Sequence, residues 1–98
     1  MILVTGSAVA RADELDAALA LSLEHVHRSR AEPGCLSHAV HIDAENPRRL
    51  VFVEEWASMD ALQAHFAVPA SRQFGKALAG LSEGAPTLNL YEAQPLPR

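Results

Sequence analysis

Arg49-Leu50-Val51-Phe52-Val53-Glu54-Glu55-Trp56-Ala57-Ser58-Met59-Asp60-Ala61-Leu62-Gln63-Ala64-His65 runs from a β-type segment into a helix. In an extended chain side chains alternate between faces, so Leu50, Phe52, Glu54 and Trp56 share one face. Val51, Val53 and Glu55 share the other. Both faces begin apolar, which predicts a strand covered on both sides. Glu54 stands out, because a carboxylate between Phe52 and Trp56 needs a partner if that face is packed. The helix begins at Ser58, whose hydroxyl suits the N-cap, with Asp60 placed for the helix dipole. Leu62, His65 and Phe66 then lie on one helical face. If that face packs on the strand, His65 points towards Trp56 and Glu54. The plainer reading of His65 is an amphipathic residue at the core edge, hydrogen-bonded to backbone.

Upstream, Ile2–Ala10 reads as a strand, with Gly6 a weak point or close-approach site within it. From Arg11 to Ala31 apolar residues recur at three and four: Leu15, Ala18, Leu19, Ser22/Leu23 and Val26. Asp13 and Glu14 near its start, and His27, Arg28 and Arg30 near its end, match the macrodipole. His25 and His27 read as surface residues. Glu32-Pro33-Gly34 stops this helix. Cys35–Asp43 alternates as a second strand, with Leu36, His38, Val40 and Ile42 on one face. Ala44–Arg48 is a turn, so the second and third strands form an antiparallel hairpin. After His65, Pro69 interrupts the helix, and Phe74, Leu78 and Leu81 mark a second helical piece. Ser82–Pro86 reads as a loop and Thr87–Ala93 as the last strand.

The order β-α-β-β-α-β is the split βαβ, or ferredoxin-like, arrangement: one α+β domain over 1–98, with helices on one face of a four-stranded antiparallel sheet. The other sheet face also carries apolar residues, Val51 and Val53 with Leu88 and Leu90 or their alternates. An uncovered apolar face predicts a partner, and a homodimer is the common solution.

The composition, 49% hydrophobic and 20% charged, suits a folded domain. A formal net charge of −4 argues against nucleic acid, because phosphate binding needs a basic patch. The single cysteine, Cys35, excludes an internal disulfide and a zinc–thiolate cluster, and reads as an inert packed residue in a reducing, cytoplasmic protein. Neither a signal peptide nor a membrane span is expected. No histidine pair has a local metal-binding spacing, so no metal site is expected.

Glu32-Pro33-Gly34-Cys35-Leu36, Asn46-Pro47, Glu54-Glu55-Trp56, Ser58, Ala61-Leu62 and His65, in this order, resemble the antibiotic biosynthesis monooxygenase (ABM) family. The resemblance covers nearly the whole chain and is strongest from Glu32 to His65. It implies a dimeric α+β barrel with a small cavity in each subunit. Several members oxidise quinols or polycyclic aromatic phenols with molecular oxygen and no cofactor. Others degrade haem, isomerise a signalling sugar phosphate or have no known substrate, so fold alone does not settle function. The haem-degrading branch uses a first-strand asparagine and a histidine late in the second helix. Here Gly6-Ser7 and Ser71–Lys76 supply neither.

Cofactor-free oxygenation needs an electron-rich substrate, a proton acceptor, an apolar slot and donors for the reduced oxygen. His65 is the candidate base, since imidazole titrates near neutrality. Trp56 is expected to wall the slot and offer its indole N–H. Glu54 is expected to orient His65 or act as the base itself. His38, Phe52, Phe66 and Ser7 are the candidate substrate-binding residues, with Asn89 weaker. Trp56 also has a plain reading as core, and Glu54 as an arginine partner at the rim. The function expected is a monooxygenase acting on a small quinol-like or polycyclic aromatic substrate. The alternative is a non-catalytic ligand-binding or stress-accessory dimer. An isomerase is disfavoured because no cationic cluster for a sugar phosphate can be placed in the pocket.

Overall fold

A computed structural model describes residues 1–98. Its elements are β1 (Ile2–Ala10), α1 (Leu15–Ser29), β2 (Cys35–Asp43), β3 (Asn46–Trp56), α2 (Met59–Ala67), α3 (Pro69–Gly80) and β4 (Ser82–Glu92). The four strands form one antiparallel sheet in the order β2-β3-β1-β4. This is the ferredoxin-like α+β fold, with the second helix divided in two. Pro69 makes the division: Val68 is extended, and Pro69 opens α3 where its missing N–H costs nothing. Ser58 caps α2 by accepting from Ala61 N at 3.1 Å. No helix is long and apolar enough to cross a membrane.

One sheet face is buried beneath the helices. Along β1 the residues Ile2, Val4, Gly6, Ala8 and Ala10 are buried and their neighbours only half-buried. On β3 the buried set is Leu50, Phe52, Glu54 and Trp56, the alternation expected from the sequence. The core divides in two. Ala8, Ala10, Ala18, Val26, Leu50, Phe52 and Leu78 fill one end, and Ile2, Val4, Trp56 and Leu62 the other. Polar side chains sit between them.

Three expectations need correction. β2 carries an irregularity between Cys35 and Ser37, so Cys35 pairs with Trp56 while Leu36 is 57% exposed. The strand therefore turns Cys35, His38 and Val40 inward and Leu36 outward. The β2–β3 turn is only Ala44-Glu45, because Asn46 already pairs with Asp43. Ser82–Pro86 is not a loop but the first half of β4. Ser82 and Glu83 pair with Ala10 and Val9, and Gly84–Pro86 bulge opposite Ala8, with Gly84 at φ 66°. This bulge brings Pro86, Thr87 and Leu88 to the edge of a cavity.

Candidate active site

The polar centre is built from four elements. β3 supplies Glu54 and Trp56, β2 His38, α1 His25 and α2 His65. All five are buried. Trp56 Nε1 donates to Glu54 Oε1 at 2.9 Å, and His38 Nε2 lies 3.2 Å from the same oxygen. That approach is off the hydrogen-bond direction, and both ring nitrogens of His38 lack a hydrogen-bond partner. Burial alone would raise the Glu54 carboxyl. The contacts with His38 and Trp56 and the nearby His65 outweigh it and hold the group below the usual carboxylate range.

His65 leans on Trp56, ring centres 4.6 Å apart, as the sequence suggested. Its orienting partner is not Glu54, however, but Glu32, whose Oε1 is 2.8 Å from His65 Nδ1. An ionised carboxylate only accepts, so Nδ1 carries the hydrogen and the neutral ring keeps its lone pair on Nε2. Gly34 makes this arrangement possible. It sits at φ +80°, and a Cβ there would lie 2.5 Å from Ala61 Cβ. The Glu32–Gly34 turn thus rests directly on α2, beside His65.

His25 overturns the surface assignment. It is 5% exposed, stacked on Phe74 at 3.9 Å with the rings 5° from parallel. Arg28 Nη2 is 2.8 Å from His25 Nδ1, and guanidinium can only donate. The neutral ring therefore holds its hydrogen on Nε2, the opposite tautomer to His65. Burial, then the nearby His38 and His65, lower its pKa to about 3, so His25 is a neutral donor at ordinary pH. The stripe Ala18-Ser22-His25-Ser29, at spacings of four, three and four, was the signal for its burial. Glu32 was read as part of a helix stop and of the motif that carries the family resemblance, not as a partner of His65.

A cavity of about 300 Å³ opens beside this centre. His25, His65, Glu54, Phe52, Phe66 and Phe74 line it, with Gly6, Ser7 and Leu88 on the strand side. Arg72 is the one cation in the lining, which gives no cluster for a sugar phosphate. Of the residues singled out from sequence, His65, Glu54, Phe52, Phe66 and Ser7 therefore meet at the cavity. The Ser7 hydroxyl is paired with Thr87 Oγ1 at 3.0 Å. Trp56 is fully buried and does not line the cavity, and its N–H is spent on Glu54. His38 also lies behind the lining. Asn89 is exposed. Cys35 is half-buried, its thiol pKa raised by burial first and by Glu54 and Glu32 next, which suits an unreactive thiol.

The chain is thus a two-layer ferredoxin-like α+β domain that sets a largely apolar cavity beside a buried histidine–carboxylate pair. Residues 1–77 match the family model described as antibiotic biosynthesis monooxygenase, and the chain belongs to that family. An uncharacterised Synechocystis protein, sll1783, is 33% identical over 73 residues. The match covers 74% of this chain but 50% of that protein, so the chain spans about half the length of that relative. Among solved structures, a Deinococcus radiodurans protein named for antibiotic biosynthesis monooxygenase activity superposes with TM-score 0.94 at 26% identity, covering 100% of this chain and 97% of that one. Rv0793 of Mycobacterium tuberculosis superposes with TM-score 0.90 at 23% identity, over 97% and 96% of the two chains. This second likeness is one of fold.

Proposed function

We propose that the protein is a cofactor-independent monooxygenase for a small aromatic substrate of the quinol or anthrone type, acting as a cytoplasmic homodimer. The observation that carries the proposal is the Glu32–His65 pair set against an apolar cavity. Glu32 holds His65 in the tautomer that leaves Nε2 basic, and Phe52, Phe66 and Phe74 offer flat apolar surface to an aromatic ring. His65 takes the acidic proton of the substrate, and the resulting anion passes an electron to oxygen. Recombination gives a peroxide at the substrate carbon. Loss of water leaves a carbonyl: for an anthrone, CH₂ plus O₂ becomes C=O plus H₂O, with all four electrons drawn from the substrate carbon. His25 Nε2–H stands ready for the developing oxyanion without being acidic enough to quench the base.

Oxygen consumption against reduced quinols and anthrones, with chelator present, tests the reading. Uptake above the spontaneous rate should disappear in His65→Ala. A protein that binds these compounds tightly but never consumes oxygen would instead be a ligand-binding dimer.

A further inference from the structure

The three histidines of this centre have a second property, independent of any oxygenase reaction. The ring centres of His25 and His38 are 5.2 Å apart, those of His25 and His65 5.2 Å, and those of His38 and His65 5.6 Å. One nitrogen from each ring lies within 4.8 Å of the others, and all three residues are buried. An imidazole bound to an ion at about 2.0–2.1 Å puts its ring centre roughly 3.2 Å from that ion, and tetrahedral placement then sets ring centres about 5.2 Å apart. The rings are thus already spaced as ligands. On binding, their nitrogens must close from within 4.8 Å to about 3.4 Å.

We infer that His25, His38 and His65 form a binding site for one divalent transition-metal ion of borderline softness, of the zinc, cobalt or copper class. Three neutral imidazoles are the donor set such ions favour. His38 is 2% exposed, and neither of its ring nitrogens has a hydrogen-bond partner, the condition of a ligand whose lone pair is unspent. His65 is oriented by a carboxylate on its far nitrogen, the arrangement that fixes metal-binding imidazoles elsewhere. Glu54, 3.2 Å from His38, and Glu32 together bring two negative charges against a dication. His25 and His65 line the cavity, so the fourth position opens on it and is available to water or a phenolate.

Arg28 regulates access. Its donation to His25 Nδ1 keeps the hydrogen on Nε2. If that ring is to bind metal through Nε2, the hydrogen must pass to Nδ1 and Arg28 must turn away. Metal and the basic form of His65 are also alternatives, because both use the Nε2 lone pair.

The test uses the full chain, stripped with chelator, dialysed and titrated with Co²⁺ alone while the visible spectrum is followed. One equivalent should bind with the strong absorption of a tetrahedral centre, and Zn²⁺ should displace it. His38→Gln should abolish this binding, Glu32→Gln should weaken it about 10–100-fold, and Arg28→Gln should tighten it. The exposed His27→Ala and His41→Ala should leave it unchanged. Weak octahedral binding only, or binding that survives His38→Gln and falls with His27→Ala or His41→Ala, overturns the site. Should His38→Gln fail to fold, histidine ¹⁵N spectra of the unmodified protein decide. Zn²⁺ must shift His25, His38 and His65 together, and shifts confined to other histidines overturn the proposal.

Discussion

His25 is a buried imidazole held neutral, and its linkage to folding has a definite sign. The unfolded ring takes a proton near its model value of 6.5, the folded ring only near about 3. Between these values the unfolded state binds more protons, so stability is lost as pH falls through that window. Discounted for the solvent that still reaches the ring, the loss is on the order of a few kcal/mol. Glu54 adds a second loss lower down, because its folded carboxyl is held below 4.5 and its stabilisation fades only as it protonates. Urea unfolding with chelator present should therefore show stability declining from about pH 6.5. His25→Phe, which keeps the stack on Phe74, should flatten the upper part of that decline and leave the lower part. An unchanged profile in His25→Phe would contradict the buried neutral ring. Trp56→Phe probes the same centre from beneath. It removes the indole N–H that donates to Glu54, at a cost of about 1–3 kcal/mol in unfolding free energy. It should also move the pH dependence of oxygen uptake more than the affinity for substrate, since Trp56 does not line the cavity. At this scale the sequence placed part of this polar centre. Glu54, Trp56 and His65 were visible because strand alternation and helix spacing set them on facing surfaces, and β2 alternation singled out His38. His25 and Glu32 were missed as members, and because the three histidines come from α1, β2 and α2, no local spacing could show them meeting.

The turn at Glu32–Gly34 is where an element decides chemistry. Gly34 is in the left-handed region and packs on Ala61, so Gly34→Ala adds backbone strain to a direct clash with α2. A loss of about 1–3 kcal/mol in unfolding free energy is expected. The His65 Nδ1 proton resonance should move as Glu32 is displaced. Gly80→Ala, where an added Cβ meets nothing within 4 Å, is the matched control. Secondary structure was legible wherever hydrophobic period changed sharply, as at Glu32-Pro33-Gly34 and at Ser58. It was legible in the second half of β4 but not in the first, where Gly84, Ala85 and Pro86 imitate a loop. There the ladder is kept by pairing on both sides of a bulge, Ser82 with Ala10 and Thr87 with Ser7, and that pairing depends on β1 at the other end of the chain.

At the scale of the whole molecule the unexplained surface is the sheet face away from the helices. The shortest dimension is 20 Å, about one sheet and one helix layer, so nothing in the chain covers that face. Leu3, Val9, Val51 and Val53 lie on it, only half-buried. Leu88 and Leu90 do not join them, because they pair with Gly6 and Val4 and so have helix-side parity. At the edge strand they stay 50% and 41% exposed. Tyr91, opposite Leu3, is on the outer face and 50% exposed. An apolar face on a sheet of this kind is stabilised by a second sheet, and two-fold pairing of identical faces needs no additional surface to evolve. Sedimentation velocity should therefore find a dimer. Val53→Lys, at the middle of β3 and remote from the cavity, should shift it to monomer while far-UV circular dichroism stays unchanged. A wild-type chain that sediments as a monomer at micromolar concentration would remove the homodimer and leave the cavity and its histidines to act within one subunit.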